Sequence, residues 1–250
     1  MIAWGLVPAR GGSKSIPMKN LVPLAGRPLL DYAVKAGQAS GALSRIVCST
    51  DSDRIADQAE RLGIEVDRRP EHLAGDDAAV DEVAREFLDR LHAEKATLPD
   101  VVVLLQPTSP FVRPEDVSAL VRVFRARPDV RSAHNVHPVP HNLHAWNHRS
   151  LAGDGTVSFL FEAERSRARN KQGKPKLYAF GNLIGARTDA LLAGEGFYAK
   201  PCQATVIPSQ FAFDLDLPGD LALAEAMLRE GIVTLDHLGP PVRAPVSFTA

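Results

Sequence analysis

"DVVVLLQPTSPF", residues 100–111, sets an unbroken apolar run, Val101 to Leu105, directly against a proline-punctuated polar turn. A strand with one wet face would alternate apolar and polar side chains. This one does not, so it fits a central strand of a parallel sheet covered on both faces. Its flanks agree. Residues 78–93 carry Val80, Val83, Ala84, Phe87, Leu88 and Leu91 at helical spacing. Residues 114–126 read as a second helix, opened by Pro114 and by the acidic pair Glu115 and Asp116, which favour a helix N-terminus.

The same alternation runs back to the N-terminus. Residues 1–8 read as a buried strand and residues 29–39 as a helix with Leu30, Ala33, Val34 and Gly37 on one face. Residues 45–49 form a short strand, residues 52–62 a helix capped by Ser52 and ended by Gly63, and residues 64–67 a third strand. The fold class is therefore α/β: a doubly wound, mainly parallel sheet, which binds ligands at the carboxyl ends of its strands.

Periodicity weakens between residues 135 and 176. The histidines His134, His137, His141, His144 and His148 fall in or beside this stretch, but they lack acidic or cysteine neighbours, and Pro138 and Pro140 keep a helix from aligning them. An extended arm or a loop facing a ligand fits better than a metal tract. Order returns at "YAFGNLIGA", a strand, and at "FAFDLDLPGDLALAEAMLREG". There residues 211–215 read as a strand and residues 218–229 as a helix opened by Pro218 and Asp220 and closed by Gly231. The expected division is an α/β domain from 1–134 and 177–236, an inserted arm from 135–176, and a peripheral tail from 237–250.

Composition excludes several classes. With 250 residues, Lys plus Arg at 29 and Asp plus Glu at 30, the balanced chain has no general footprint for nucleic acid or an anionic membrane. Cys48 and Cys202 signal neither a disulfide framework nor a zinc site and read as buried thiols. Arg10 and Lys14 stand where a signal peptide needs its apolar core, so a cytoplasmic location is expected.

Three polar constellations fall at the expected sheet edge. In "GLVPARGGSKSIPMKN", residues 5–20, the amides from Gly11 to Ser13 can form an anion nest ringed by Arg10, Lys14 and Lys19; a solvated basic loop is the alternative. Neither GxxxxGK[ST] nor GxGxxG is present. In "FDLDLPGD", Asp214 and Asp216 alternate on the expected strand and share a face, a pairing that suits Mg²⁺ held with substrate phosphates, unless Asp216 merely caps the next helix. In "LLQPTSPF", an amide and two hydroxyls end the central strand, suited to reading a base or sugar edge. Together they describe a nucleoside triphosphate pocket.

"VPARGGSKSIPMKNLVPLAGRPLLDYAV", "STDSDRIADQAERLG", "LLQPTSPFVRPEDV" and "FDLDLPGDLALAEAML" resemble, in the same order, the blocks of the acylneuraminate cytidylyltransferase family, the CMP-sialic acid synthetases and their relatives. The resemblance implies a Rossmann-like domain with a protruding arm that forms a homodimer. It implies that Arg10, Lys14 and Lys19 are the catalytic cations on the triphosphate of CTP, and that Ala9, Gly11, Gly12, Ser13, Asn20, Gln106 and Thr108 bind the nucleotide. Asp214 and Asp216 would hold Mg²⁺, and Lys171, Lys176, Tyr178 and Asn182 would face the acceptor. The implied reaction is in-line attack of an acidic acceptor's oxygen on the α-phosphorus, with pyrophosphate leaving.

Departures from the family pattern gather on the acceptor side. Gly181 stands at the position of a functional Asn, Ala179 and Lys171 at positions of Arg, and Ser15 and Met18 differ in the first block. A small phosphonate of natural-product biosynthesis and a sialic-like nonulosonic acid are both open as acceptors. A guanylyltransferase acting on a sugar phosphate and a nucleotide-binding protein without turnover are the alternatives.

Overall fold

A computed structural model describes residues 1–75, 78–167 and 173–239. The chain runs through β1 (Ala3–Pro8), the hairpin β2 (Pro23–Leu24) and β3 (Arg27–Pro28), α1 (Leu29–Ala39), β4 (Arg45–Thr50), α2 (Asp53–Arg61), β5 (Glu65–Arg68), α3 (Val80–Ala93), β6 (Val101–Leu104) and α4 (Pro114–Ala126). It continues through β7 (Ser132–Pro138), the hairpin β8 (Arg149–Leu151) and β9 (Val157–Phe159), α5 (Glu162–Arg167), β10 (Tyr178–Arg187), α6 (Thr188–Leu192), β11 (Cys202–Val206) and α7 (Pro218–Arg229).

The main sheet has strand order β11-β7-β10-β6-β1-β4-β5. Pairs from β6 to β5 are parallel, as is β11 with β7, and β10 runs antiparallel to both its neighbours. The strand that opened the reading sits at the centre. Val101 and Val103 pack with α1 and α4 residues on one face, while Val102 and Leu104 pack with Trp4, Ala84, Leu88 and Phe197 on the other. Both faces are dry, which is why the run needs no polar residue. Gly37 lets α1 approach closely: a Cβ there would lie 2.7 Å from Leu105 Cδ1.

Several expectations are corrected. Ser52 is the N-cap residue of α2, its carbonyl accepting the Ala56 amide at 2.9 Å, but its side chain makes no capping hydrogen bond. Residues 211–215 are not a strand: Ser209–Phe211 is a 3₁₀ turn, and the chain beyond it is irregular up to α7. Among the described residues no strand pairs with it; Leu215 N donates instead to Thr108 O at 2.7 Å. Asp216 does not cap α7 with its side chain; Asp220 Oδ2 accepts from the amides of Asp216 and Leu217 at 2.9 and 2.7 Å. Residues 135–138 belong to β7, so the arm leaves the sheet at Pro138 and returns at Tyr178. Cys48 is buried, its thiol pushed up to about 12 by that burial, but Cys202 is exposed on the outermost strand. Residues 240–250 of the expected tail lie outside the described residues.

β10 changes register against β7 between Phe180 and Ile184, and Gly181 sits in that bulged stretch. A Cβ at Gly181 would stand 2.4 Å from Asn135 Oδ1 and 2.9 Å from Ile207 Cδ1. Gly181→Ala should therefore destabilise the fold by about 1–3 kcal/mol through overpacking. Urea unfolding checks this as a lower midpoint at unchanged slope.

Candidate active site

The carboxyl ends of β1, β4 and β6 place three loops side by side. The first follows β1 and is stapled at its base. Ala9 N donates to Ser49 O at 3.0 Å, Asn20 Nδ2 to Arg10 O at 2.9 Å, and Gly11 N to Asp51 Oδ1 at 2.8 Å. One amide of the expected nest is thus already engaged by a carboxylate, while Gly12 faces open space, with nothing within 4 Å of an added Cβ. Ser13 is half-buried and Lys14 exposed on the same turn.

Lys19 crosses from this loop to the far end of the sequence. Its Nζ donates to Leu215 O and to Asp216 Oδ1, both at 2.9 Å, with the side chain only 12% exposed. The carboxylate pair is therefore assembled although the expected strand is absent. Asp214 is open at one edge, yet burial of the rest of its carboxyl raises it above the usual aspartate range. The Thr108 hydroxyl opposes that shift by hydrogen bonding, Asp216 adds repulsion, and Lys19 relieves it. Two mutually repelling carboxylates with a shared cation fit a hard divalent ion that takes its remaining oxygens from phosphates. Gln106 is half-buried on the turn that follows β6 and Thr108 stands between it and Asp214, so the nucleotide and carboxylate candidates meet at one edge.

Two residues here escaped the sequence reading. Arg69, after β5, donates to Ser49 O at 2.8 Å and Ser49 Oγ at 3.4 Å, and its charge acts on both Asp51 and Arg10. Burial lowers its affinity for its proton. Asp51 receives the Gly11 amide. The available signal was position: "STD" and "RR" both end strands that the doubly wound pattern aims at the site edge.

The acceptor candidates divide. Lys176 and Tyr178 are exposed where the arm rejoins β10. Asn182 is fully buried and its side chain is committed to Asn135 and Phe211 O, so the structure does not bring it to that surface. Lys171 lies outside the described residues. The arm uses much of its own polarity: Asn147 Oδ1 accepts from Arg165 at 2.8 Å and Lys174 at 2.7 Å, and His144 Nε2 meets Pro175 O at 3.1 Å.

A doubly wound sheet with cations, backbone amides and carboxylates at the carboxyl ends of its strands is an α/β protein of the class that binds ligands at that edge. Sequence comparison narrows the class. Residues 4–153 match the cytidylyltransferase family model, and the chain belongs to that family. It is 31% identical over 227 residues to the CMP-N,N'-diacetyllegionaminic acid synthase of Legionella pneumophila, covering 89% of this chain and 94% of that one. It is 27% identical over 219 residues to the N-acylneuraminate cytidylyltransferase of Escherichia coli, covering 88% of this chain but only 50% of that longer protein. A solved CMP:2-keto-3-deoxy-manno-octonic acid synthetase complexed with CTP shares the fold, at TM-score 0.69 and 16% identity over 92% of this chain and 100% of that one. Among the described residues no helix is long and apolar enough to cross a membrane.

Because Asp214 holds its proton more tightly folded than unfolded, its ionised form subtracts stability at neutral pH. That loss is fully present above its raised value and is relieved as pH falls toward the ordinary aspartate value of 3.8. The metal-free Asp214→Asn variant should melt above the native protein at pH 7–8, with the difference shrinking toward pH 4. Thermal unfolding across that range checks it, and a lower melting point at every pH contradicts it.

Proposed function

We propose that this chain is a Mg²⁺-dependent cytidylyltransferase that joins the CMP group of CTP to an acidic sugar of the nonulosonic type and releases pyrophosphate. The observation that carries the reading is the Lys19 ammonium, which ties the phosphate-type loop to the Asp214 and Asp216 pair. The Legionella relative, named for a CMP-linked acidic sugar and matched over nearly its whole length, supports the acceptor class.

The steps follow from charge. Arg10, Lys14 and Lys19, with the amides of Gly12 and Ser13, bind the triphosphate and turn its α-phosphorus toward the arm. Ala9, Gly11 and Asn20 hold the loop in shape, and Gln106 and Thr108 meet the nucleoside. The acceptor oxygen attacks in line, and the cations stabilise charge that develops on the transferring phosphorus and the leaving pyrophosphate. Asp214 and Asp216 would hold a divalent cation, which when bound would supply further neutralisation at the phosphates. Lys176 and Tyr178 receive the acceptor. The exposed apolar side chains of the arm and sheet edge, Leu151, Val157, Tyr178 and Phe180, support a homodimer. A cytoplasmic location suits the use of CTP.

Gly181 and Ala179, which replace polar family positions, favour a second reading, a small phosphonate acceptor. The internal use of Arg165 and Lys174 weighs against it, because those cations are held on Asn147. A pyrophosphate-release screen of CTP and GTP against sugar acids, phosphonates and sugar phosphates separates the readings. Release only with CTP and a sugar acid supports the proposal, GTP with a sugar phosphate supports guanylyl transfer, and no release with any pair supports a binding protein. Lys19→Met, which keeps the stem and removes the charge, should lower kcat/KM by about 10²-fold or more. An unchanged rate in steady-state assays contradicts the role.

A further inference from the structure

The bulged stretch of β10 is bonded by a side chain from β7. The amides of Asn182 and Leu183 both donate to Asn135 Oδ1, at 2.7 and 2.9 Å. Two incoming N–H groups identify that atom as the oxygen, so the other end of Asn135 is its NH₂ group, which donates to Asn182 Oδ1 at 2.7 Å. Asn182 then has only its own NH₂ group left, and this donates to Phe211 O at 2.8 Å. Both asparagines are fully buried, so each bond in the series is shielded from competing water.

Phe211 stands three residues before Asp214. From that peptide to α7 the chain has no regular ladder, and its position depends on a few point attachments. Upstream these are Asn182 on Phe211 O and the Arg113 guanidinium 4.2 Å above the Phe211 ring. In the middle the Phe213 ring packs on Phe111 at 5.1 Å. Downstream, Thr108 O takes the Leu215 amide and Lys19 takes Leu215 O and Asp216. The Ile207 amide on Val136 O at 2.8 Å and the Ser209 hydroxyl on Pro138 O at 3.4 Å also tie the preceding turn to β7, and the asparagine series is the link to the sheet that reaches Phe211 itself, nearest the carboxylates.

We propose that Asn135 and Asn182 are positioning residues: their hydrogen-bond series fixes the start of the carboxylate-bearing segment to the sheet and thereby sets how well Asp214 and Asp216 hold a divalent cation. This rests on reading that pair as the metal ligands. It also accounts for Gly181, since any side chain there would displace Asn135 Oδ1. A series of this kind is absent from the sequence pattern because its members lie 47 and 29 residues apart.

The test uses Mn²⁺ as the probe, with Mn²⁺ bound to the protein–CTP complex read by electron paramagnetic resonance without acceptor. Asn182→Asp keeps the shape but turns the donor to Phe211 O into an acceptor. Asn135→Asp keeps Oδ1 but loses the donor to Asn182. Each should weaken Mn²⁺ binding by about ten- to a hundredfold. CTP binding in chelator should change little, and turnover should recover at high Mn²⁺, as a general folding defect would not allow. If Asn182→Asp does not fold, Asn182→Ser, with a hydroxyl in a smaller volume, replaces it. Unaltered Mn²⁺ binding in the asparagine variants, together with its loss in Asp216→Asn, overturns the positioning role alone. Retained Mn²⁺ binding in Asp216→Asn overturns the ligand assignment itself.

Discussion

The burial of β6 on both faces is the constraint from which the rest follows. Val101 to Leu104 present apolar side chains up and down the sheet, so helices must cover each side and neighbouring strands must shield each edge. Parallel neighbours need crossovers, and α1, α3 and α4 supply the layers. A centre this dry has no room for charged groups. They are displaced to the loops at the strands' carboxyl ends, which is where Lys19, Asp214, Gln106 and Thr108 meet.

At that edge the protein spends opposite charges on shape as much as on ligand binding. Asp51 holds a glycine amide, Arg69 holds Ser49, and Lys19 holds Leu215 and Asp216. Each attachment joins loops far apart in sequence. The site is therefore partly preorganised, and the arm is organised separately around Asn147 and His144, with its apolar residues left outward. Such a division lets the arm vary while the loops at the strands' carboxyl ends keep their form, in line with family departures that cluster at Ala179 and Gly181.

Much of this was legible in residues alone where local chemistry decides. α1 and α4 have the boundaries that periodicity and Pro114 indicate. α7 likewise starts at Pro218 and ends before Gly231, whose φ of +67° suits glycine. Readings failed where a local pattern met a distant partner. Alternating Asp214 and Asp216 look like a strand, but among the described residues no strand pairs with them, and Thr108 and Lys19 take the Leu215 backbone instead. Ser52 takes the N-cap position of α2, but its side chain makes no capping bond. Asn182 looks like a surface reader beside the arm, but Asn135 and Phe211 draw it inward.

By itself, then, the sequence determined the α/β alternation, the central strand, the cationic glycine loop and the presence of two carboxylates near α7, because spacing and backbone preference act over a few residues. Only the tertiary structure decided that Lys19 bridges to Asp216, that Asp51 closes on Gly11, and that two asparagines run from the sheet to the carboxylate segment. Those contacts join residues tens to nearly two hundred positions apart, and hydrogen bonds at such separations depend on packing that no local periodicity encodes.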